Sequence, residues 1–263
     1  MTEREYNALP GVRRSTLFHM SKSPAHYKWA SENPTKDTPA LLFGRAFHAA
    51  VLQPEEFTSG FALMPAVDRR TKAGKELYDK IMAESAGKEM LSQDDYDRII
   101  AMREAIKQSP AASMLIGGDR ETCYQWTDAD TGIMCKCRTD AEATLDKRYI
   151  VDIKTCTDAS TKTFNRDAIK YGYDLQVGLY CEGVRAVTGE ECGFIFIAIE
   201  KTPPYAINIL QADEQMMLRG KDLFREYIGL VAECEKTGNW YAYNRTDGDL
   251  NTMALPGYIK EGL

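Results

Sequence analysis

Asp140, Asp152 and Lys154 are the residues whose types and spacing could do chemistry together. They fall within residues 132–155, GIMCKCRTDAEATLDKRYIVDIKT, whose patterning predicts two β-strands joined through the turn Leu145-Asp146-Lys147-Arg148. Successive strand side chains point to opposite faces. Lys136, Arg138, Asp140 and Glu142 therefore share one face, with Cys135, Cys137, Thr139, Ala141 and Ala143 on the other. On the second strand Tyr149, Val151 and Ile153 oppose Ile150, Asp152 and Lys154, so a carboxylate and an ammonium project together from an otherwise hydrophobic strand. Pairing through the turn brings Asp140 near Asp152. Two carboxylates with a lysine beside them suit a hard divalent cation and the water it activates. The plainer reading of Asp152 and Lys154 is a solvated strand edge or a structural ion pair.

Context weakens that plainer reading. LLFGRAFHAAVLQ, residues 41–53, is an apolar helix with Gly44 and His48 four apart on one face, a G-x-x-x-H pattern. Downstream, residues 163–187 contain a helix on which Tyr173, Gln176 and Tyr180 share a face, the last two forming Q-x-x-x-Y. In this order the motifs resemble the PD-(D/E)xK nuclease superfamily in its RecB-like form, and within it the RecE-type exonuclease VIII nuclease domain, over nearly the whole chain. The resemblance implies an α/β fold in which a central mixed sheet carries the acids and helices flank it. It implies a single domain over residues 1–263: a mainly helical region over residues 1–118 carrying His48, a catalytic sheet core over 119–211, and a C-terminal helix and tail over 212–263.

It also implies roles. Asp140, Asp152, the backbone carbonyl of Ile153 and His48 would ligate Mg2+, for which Mn2+ would substitute. Two ions per site would lie roughly 3.5–4 Å apart and be bridged by Asp140. Gly44 would let its helix pack closely against the acid-bearing strand. Lys154 would orient or deprotonate the attacking water. Gln176 would orient Lys154 or a phosphate oxygen, and Tyr180 would contact the nucleic-acid backbone. Glu121, where many RecB-like nucleases have a glutamate, would either support a metal through water or simply start a strand. The implied activity is a 5′ to 3′ exonuclease on linear double-stranded DNA, in a cytoplasmic, tetrameric ring working with a RecT-type single-strand annealing protein in phage-type recombination. An endonuclease on the same fold and a non-catalytic DNA-binding relative are the alternatives.

The elements that must position these residues follow from patterning and composition. The chain has 263 residues, 44% of them hydrophobic, enough for one α/β core. No run of 18 apolar residues appears and MTEREYNALPG is too polar for a signal sequence, which predicts a soluble intracellular protein. Seven cysteines are expected as reduced thiols, since Cys135-x-Cys137 is spaced for a strand face and no cysteine precedes Cys123 to support an iron-sulphur cluster. The net charge of −6 argues against coating nucleic acid with the whole surface but leaves room for a local basic channel. Arg69, Arg70, Lys72 and Lys75, gathered before a helix, are candidates for phosphate contacts, as is Arg138; the plainer reading of the run is a solvated face.

Residues 13–30 predict a packing element of two short helices broken at Ser23-Pro24, and 32–40 a polar loop. Ser92 is a plausible N-cap for a helix striped by Ile99, Ile100, Met102 and Ile106. ETCYQWTD predicts a strand beginning at Glu121 with Tyr124 and Trp126 facing a helix. CGFIFIAIEK and YAINILQ predict two more strands, and residues 212–238 a long amphipathic helix.

Overall fold

The computed structural model describes residues 3–33, 37–246 and 250–254. A stretch of the predicted polar loop, positions 34–36, and positions 247–249 and 255–263 of the tail lie outside the described residues. The first half runs α1 (Glu3–Ala8), α2 (Arg14–Leu17), a 3-10 turn over Phe18–Ser21, α3 (Pro24–Glu32), α4 (Pro39–Leu52) and α5 (Pro54–Gly60). It continues with β1 (Phe61–Leu63), α6 (Lys72–Glu84), β2 (Glu89–Leu91), α7 (Gln93–Gln108) and α8 (Pro110–Leu115). The second half holds β3 (Cys123–Thr127), β4 (Met134–Arg138), β5 (Ala141–Thr144), β6 (Arg148–Cys156), α9 (Thr161–Lys170), α10 (Tyr173–Thr188), β7 (Cys192–Glu200), β8 (Ile207–Gln211) and α11 (Glu214–Thr237).

Helix starts obey simple chemistry. Ser23, Thr38 and Ser109 each precede a proline and accept a backbone N–H, from His26, Leu41 and Ala112 respectively. Proline at the first helical position gives up a donor that would have no partner there, and the hydroxyl satisfies another. Ser92 accepts from Asp95 at 3.1 Å, as its sequence context predicts.

The core sheet is four-stranded and mixed, ordered β5-β6-β7-β8, with β6 and β7 parallel and the other pairs antiparallel. β7 is apolar along almost its whole length because both of its faces are covered. Phe194, Phe196 and Ala198 pack toward α9, α10 and α11, while Ile195, Ile197 and Ile199 pack toward α4 and α7. β3 and β4 form a separate antiparallel ribbon, and β1 and β2 a short parallel pair that the mainly helical reading of residues 1–118 does not include.

The predicted strand through 132–144 is in fact two. It breaks at Thr139–Asp140, with β4 paired to β3 and β5 paired to β6. Its charged face is not a solvent face. Lys136 and Glu142 are both buried, and the Glu142 carboxylate accepts from Tyr124 Oη at 2.8 Å, Thr139 Oγ1 at 3.0 Å and Arg148 Nη1 at 3.0 Å. These bonds tie the ribbon to the main sheet across the bend. Residues 163–187 hold two helices, α9 and α10, parted at Tyr171–Gly172, and Tyr173, Gln176 and Tyr180 all lie on α10.

α10 is held on two sides by backbone-close contacts. A Cβ on Gly178 would lie 1.9 Å from the Gly220 carbonyl oxygen of α11, and one on Gly183 would lie 2.7 Å from the Trp126 ring of β3. Arg225 of α11 adds charge contacts to Asp128 at 2.5 Å and to Glu182 of α10 at 2.6 Å. Gly178→Ala should therefore force α10 and α11 apart and cost roughly 1–3 kcal/mol. Gly229→Ala, on α11 with nothing within 4 Å of the new Cβ, should instead stabilise by about 0.5–1 kcal/mol. Urea unfolding of the two variants reads the difference directly; equal effects would mean that α10 and α11 do not meet at Gly178.

Candidate active site

The bend places the first acid. Ala141 pairs with Val151, so Asp140, one residue earlier, falls beside Asp152. Because β5 begins only at Ala141, Ile153 has no strand partner on that side, and its N–H donates to Asp140 Oδ2 at 2.7 Å. In an antiparallel ladder the N–H and C=O of one residue face the same neighbour, so the Ile153 carbonyl leaves β6 on the Asp140 side. His48, delivered by α4, sets Nδ1 3.4 Å from Asp140 Oδ2.

Asp152 is 2% exposed. Gln176 of α10 donates its side-chain amide to Asp152 Oδ1. Lys154 Nζ lies 2.5 Å from Oδ2 as a close ion pair, so the two buried Asp152 oxygens face an amide donor and an ammonium. The Lys154 ammonium also stands over the Tyr173 ring at 4.9 Å. Burial pushes the Asp152 carboxyl above its ordinary range and the Asp140 charge adds to the rise, against the pull of Lys154. For Asp140 burial acts the same way, but His48, with help from Lys154 and the Ile153 N–H, brings the carboxyl below its ordinary value. Burial opposes charging of His48, and the Asp140 carboxylate more than offsets it, so the imidazole is raised. The two acids thus sit in opposite states of strain across one junction.

Two clefts meet at that junction and share Arg138 and Asp140. One, of 270 Å³, is lined by Asp152, Lys154, Gln176, Tyr180 and the N-terminal residues Tyr6, Asn7, Arg13, Arg14 and Ser15. The other, of 420 Å³, runs past His48, Gly44 and Glu121 to Arg45 and Glu89. The N-terminal wall is what sequence reasoning missed, since residues 13–30 read as packing. Arg14 is the clearest omission: it donates to the Tyr171 and Gly172 carbonyls and lies against the Phe18 and Tyr173 rings. Its signal was the Arg13-Arg14 pair just before a helix in an acidic chain. Buried Lys136 fastens this wall, donating to the carbonyls of Tyr6 at 2.9 Å and Leu9 at 2.5 Å.

The other expected residues sort as follows. Asp140, Asp152, Lys154, Gln176, Tyr180, His48 and the Ile153 backbone come together. Gln176 donates its side-chain amide to Asp152, the buried acceptor within its reach. Gly44 does not pack against a strand: nothing lies within 4 Å of a Cβ placed there, and it lines the cleft one turn before His48. Glu121 does not begin a strand. Its backbone is left-handed at φ 53, β3 starts at Cys123, and its carboxylate pairs with Arg138 Nε at 2.7 Å. Arg69, Arg70, Lys72 and Lys75 are exposed and line neither cleft, and the last two lie inside α6, not before it.

Among the described residues no three His, Cys, Asp or Glu side chains form a ready cage for a metal. A hard cation does not require one. Magnesium is commonly held by one or two carboxylates, with waters and substrate oxygens completing the shell. Two adjacent carboxylates, Asp140 and Asp152, with only one ammonium beside them fit that requirement.

Over residues 14–245 the chain matches a family described as a PDDEXK-like domain of unknown function (DUF3799). Among solved structures it is similar to a candidate exonuclease from Eubacterium rectale, at 14% identity over 97% of this chain and 96% of that one, with a TM-score of 0.63. At that identity the likeness concerns the fold. A second structure, SSO0001, aligns over 73% of this chain and 85% of that one at 16% identity with a TM-score of 0.31, too low to carry an argument. None of the curated proteins matches.

A carboxyl whose folded pKa is raised favours the protonated form, so its ionisation costs stability as the pH climbs from the ordinary carboxyl range through the folded value. Asp152→Asn should therefore raise the melting temperature in chelator at neutral pH. The gain should vanish in acid, where Asp152 is already neutral. Added Mg2+ should stabilise the parent protein, by about 2.7 kcal/mol at a hundredfold excess over Kd, and should not stabilise the variant. Thermal melts across pH, with and without Mg2+, measure both; an unaltered melting temperature at every pH would mean that the Asp152 charge carries no cost.

Proposed function

Because this chain belongs to the PDDEXK-like family that it matches over residues 14–245, we propose that it is a magnesium-dependent exodeoxyribonuclease digesting linear double-stranded DNA from 5′ to 3′. The observation that carries the reading is the junction of Asp140, Asp152 and Lys154, with His48 and Gln176 each holding one of the acids. Asp140, Asp152, the Ile153 carbonyl and His48 would hold two Mg2+ ions, or Mn2+ in their place. Bound there, the ions would activate a water and offset the charge that develops on the phosphate.

The chain's own groups do the rest. Gln176 donates to Asp152 Oδ1 and fixes the rotation of its carboxylate. Lys154, set against Asp152 and the Tyr173 ring, is placed to orient the attacking water or to take its proton. Tyr180 lines the same wall and would meet the nucleic-acid backbone. Specificity for ends rests on the RecE-type resemblance, and the name borne by the Eubacterium rectale structure is consistent with it. An acidic surface of net charge −6 gives little long-range attraction for DNA. Enclosure of the duplex by a tetrameric ring would solve that, with the acidic surfaces outside. Partnership with a RecT-type annealing protein in phage-type recombination, in the cytoplasm of a bacterium or an infected host cell, completes the reading. Among the described residues no helix is long and apolar enough to cross a membrane.

Linear and covalently closed duplex at equal base concentration, with and without Mg2+, form the decisive comparison. Linear DNA should be degraded only with the metal and closed circles should survive, with a tetramer found by solution mass. A monomer that nicks circles as fast as it attacks linear DNA would favour the endonuclease alternative. The exposed basic run is tested separately. If Arg69 and Arg70 contact phosphates, replacing both with Ala should flatten the slope of log affinity against log salt by more than about one unit, each contact contributing roughly 0.9. An unchanged slope makes the run a solvated face.

A further inference from the structure

Five cations line the two clefts, and each faces a protein acceptor. Arg13 donates to Asn7 at 2.9 Å, Arg14 to two backbone carbonyls, and Arg45 to Asp37 and Glu89, while Lys154 faces Asp152. Arg138 differs. Its Nη1 is buried and has no hydrogen-bond partner among the described residues. A buried cationic donor without an acceptor is costly, so its persistence calls for a reason.

The rest of the guanidinium is fixed. Nε is held by Glu121 Oε2 at 2.7 Å, and the Tyr6 ring lies 5.4 Å from the guanidinium carbon. Glu121 is itself held in place, since its left-handed backbone at φ 53 is anchored by an N–H donated to the Asp140 carbonyl at 3.1 Å. A non-glycine residue adopts that conformation only where its surroundings impose it. Arg138 also stands two residues from Asp140, and these two are the residues that both clefts share. A pre-oriented guanidinium with an unspent nitrogen, at the meeting point of two clefts and beside the acids, is a site for an anionic oxygen.

We propose that Arg138 binds a non-bridging oxygen of the phosphodiester seated at the junction, with Glu121 serving as its positioning residue and not as a metal ligand. This deepens the nuclease reading and rests on it for the identity of the anion. It assigns Glu121 a role that its place in the sequence leaves open between metal support and the start of a strand.

The test is binding of a dye-labelled DNA duplex in chelator, followed by fluorescence anisotropy, beside turnover with Mg2+. Arg138→Ala should weaken metal-free binding by about tenfold or more, the loss expected for one charge-assisted hydrogen bond. Because that change leaves the Glu121 charge behind, the double variant Glu121→Gln/Arg138→Ala must also bind weakly. Arg138→Lys keeps the charge and should recover only a fraction of the affinity. Free guanidinium should restore turnover to Arg138→Ala more than sodium at equal ionic strength, a rescue that mere structural damage would not allow. Unchanged affinity in the double variant overturns the proposal, as does a parent protein that binds no duplex without metal. If the parent binds and Arg138→Ala does not, yet the parent cleaves nothing, the nuclease reading falls and the anion site stands.

Discussion

Two carboxylates set side by side in a protein interior repel each other and lose their hydration, and something must answer both costs. In this chain the answer comes from every layer of the fold. The main sheet gives the Ile153 N–H to Asp140, the first helical layer gives His48, and the second gives Gln176 to Asp152. Lys154 comes from the same strand as Asp152. Removing any one layer would leave a buried charge short of a partner. Even so the Asp152 carboxyl stays above its ordinary range, and a bound cation would relieve that cost.

Much of this was legible in the sequence because it depends on local pattern. The hairpin through Leu145–Lys147, the β7 and β8 strands and the cap at Ser92 are short-range features with strong residue signals, and the structure keeps them. The grouping of His48, Asp140, Asp152, Lys154, Gln176 and Tyr180 was legible only through order and type along the chain, which the family resemblance supplied.

What was not legible depends on contacts far apart in sequence. Strict alternation puts Lys136 and Glu142 on one charged face of a single strand, but a strand that changes sheets midway ends with both residues covered. Nothing in CKCRTDAEA marks the break at Thr139–Asp140. The break becomes intelligible only once Tyr124 and Arg148 are seen to claim Glu142. Gly44 was misread because a helical glycine can serve close packing or an open cleft, and the choice is made by a neighbour the sequence does not show. The strand start was placed two residues early, at Glu121, because a positive φ on a glutamate has no compositional signal.

The Lys136 ammonium, sunk among the carbonyls of Tyr6, Asn7 and Leu9, joins residues 130 positions apart. A ribosome delivers Tyr6 long before Lys136, so one wall of the cleft is older than the residue that fastens it. Until the ribbon has formed, the first fifteen residues have no ammonium to gather round. The acids follow Lys136 by 4 and 16 positions, so the fastener and the groups it encloses emerge almost together. The order of synthesis therefore leaves little interval in which the acid pair exists with its wall undone.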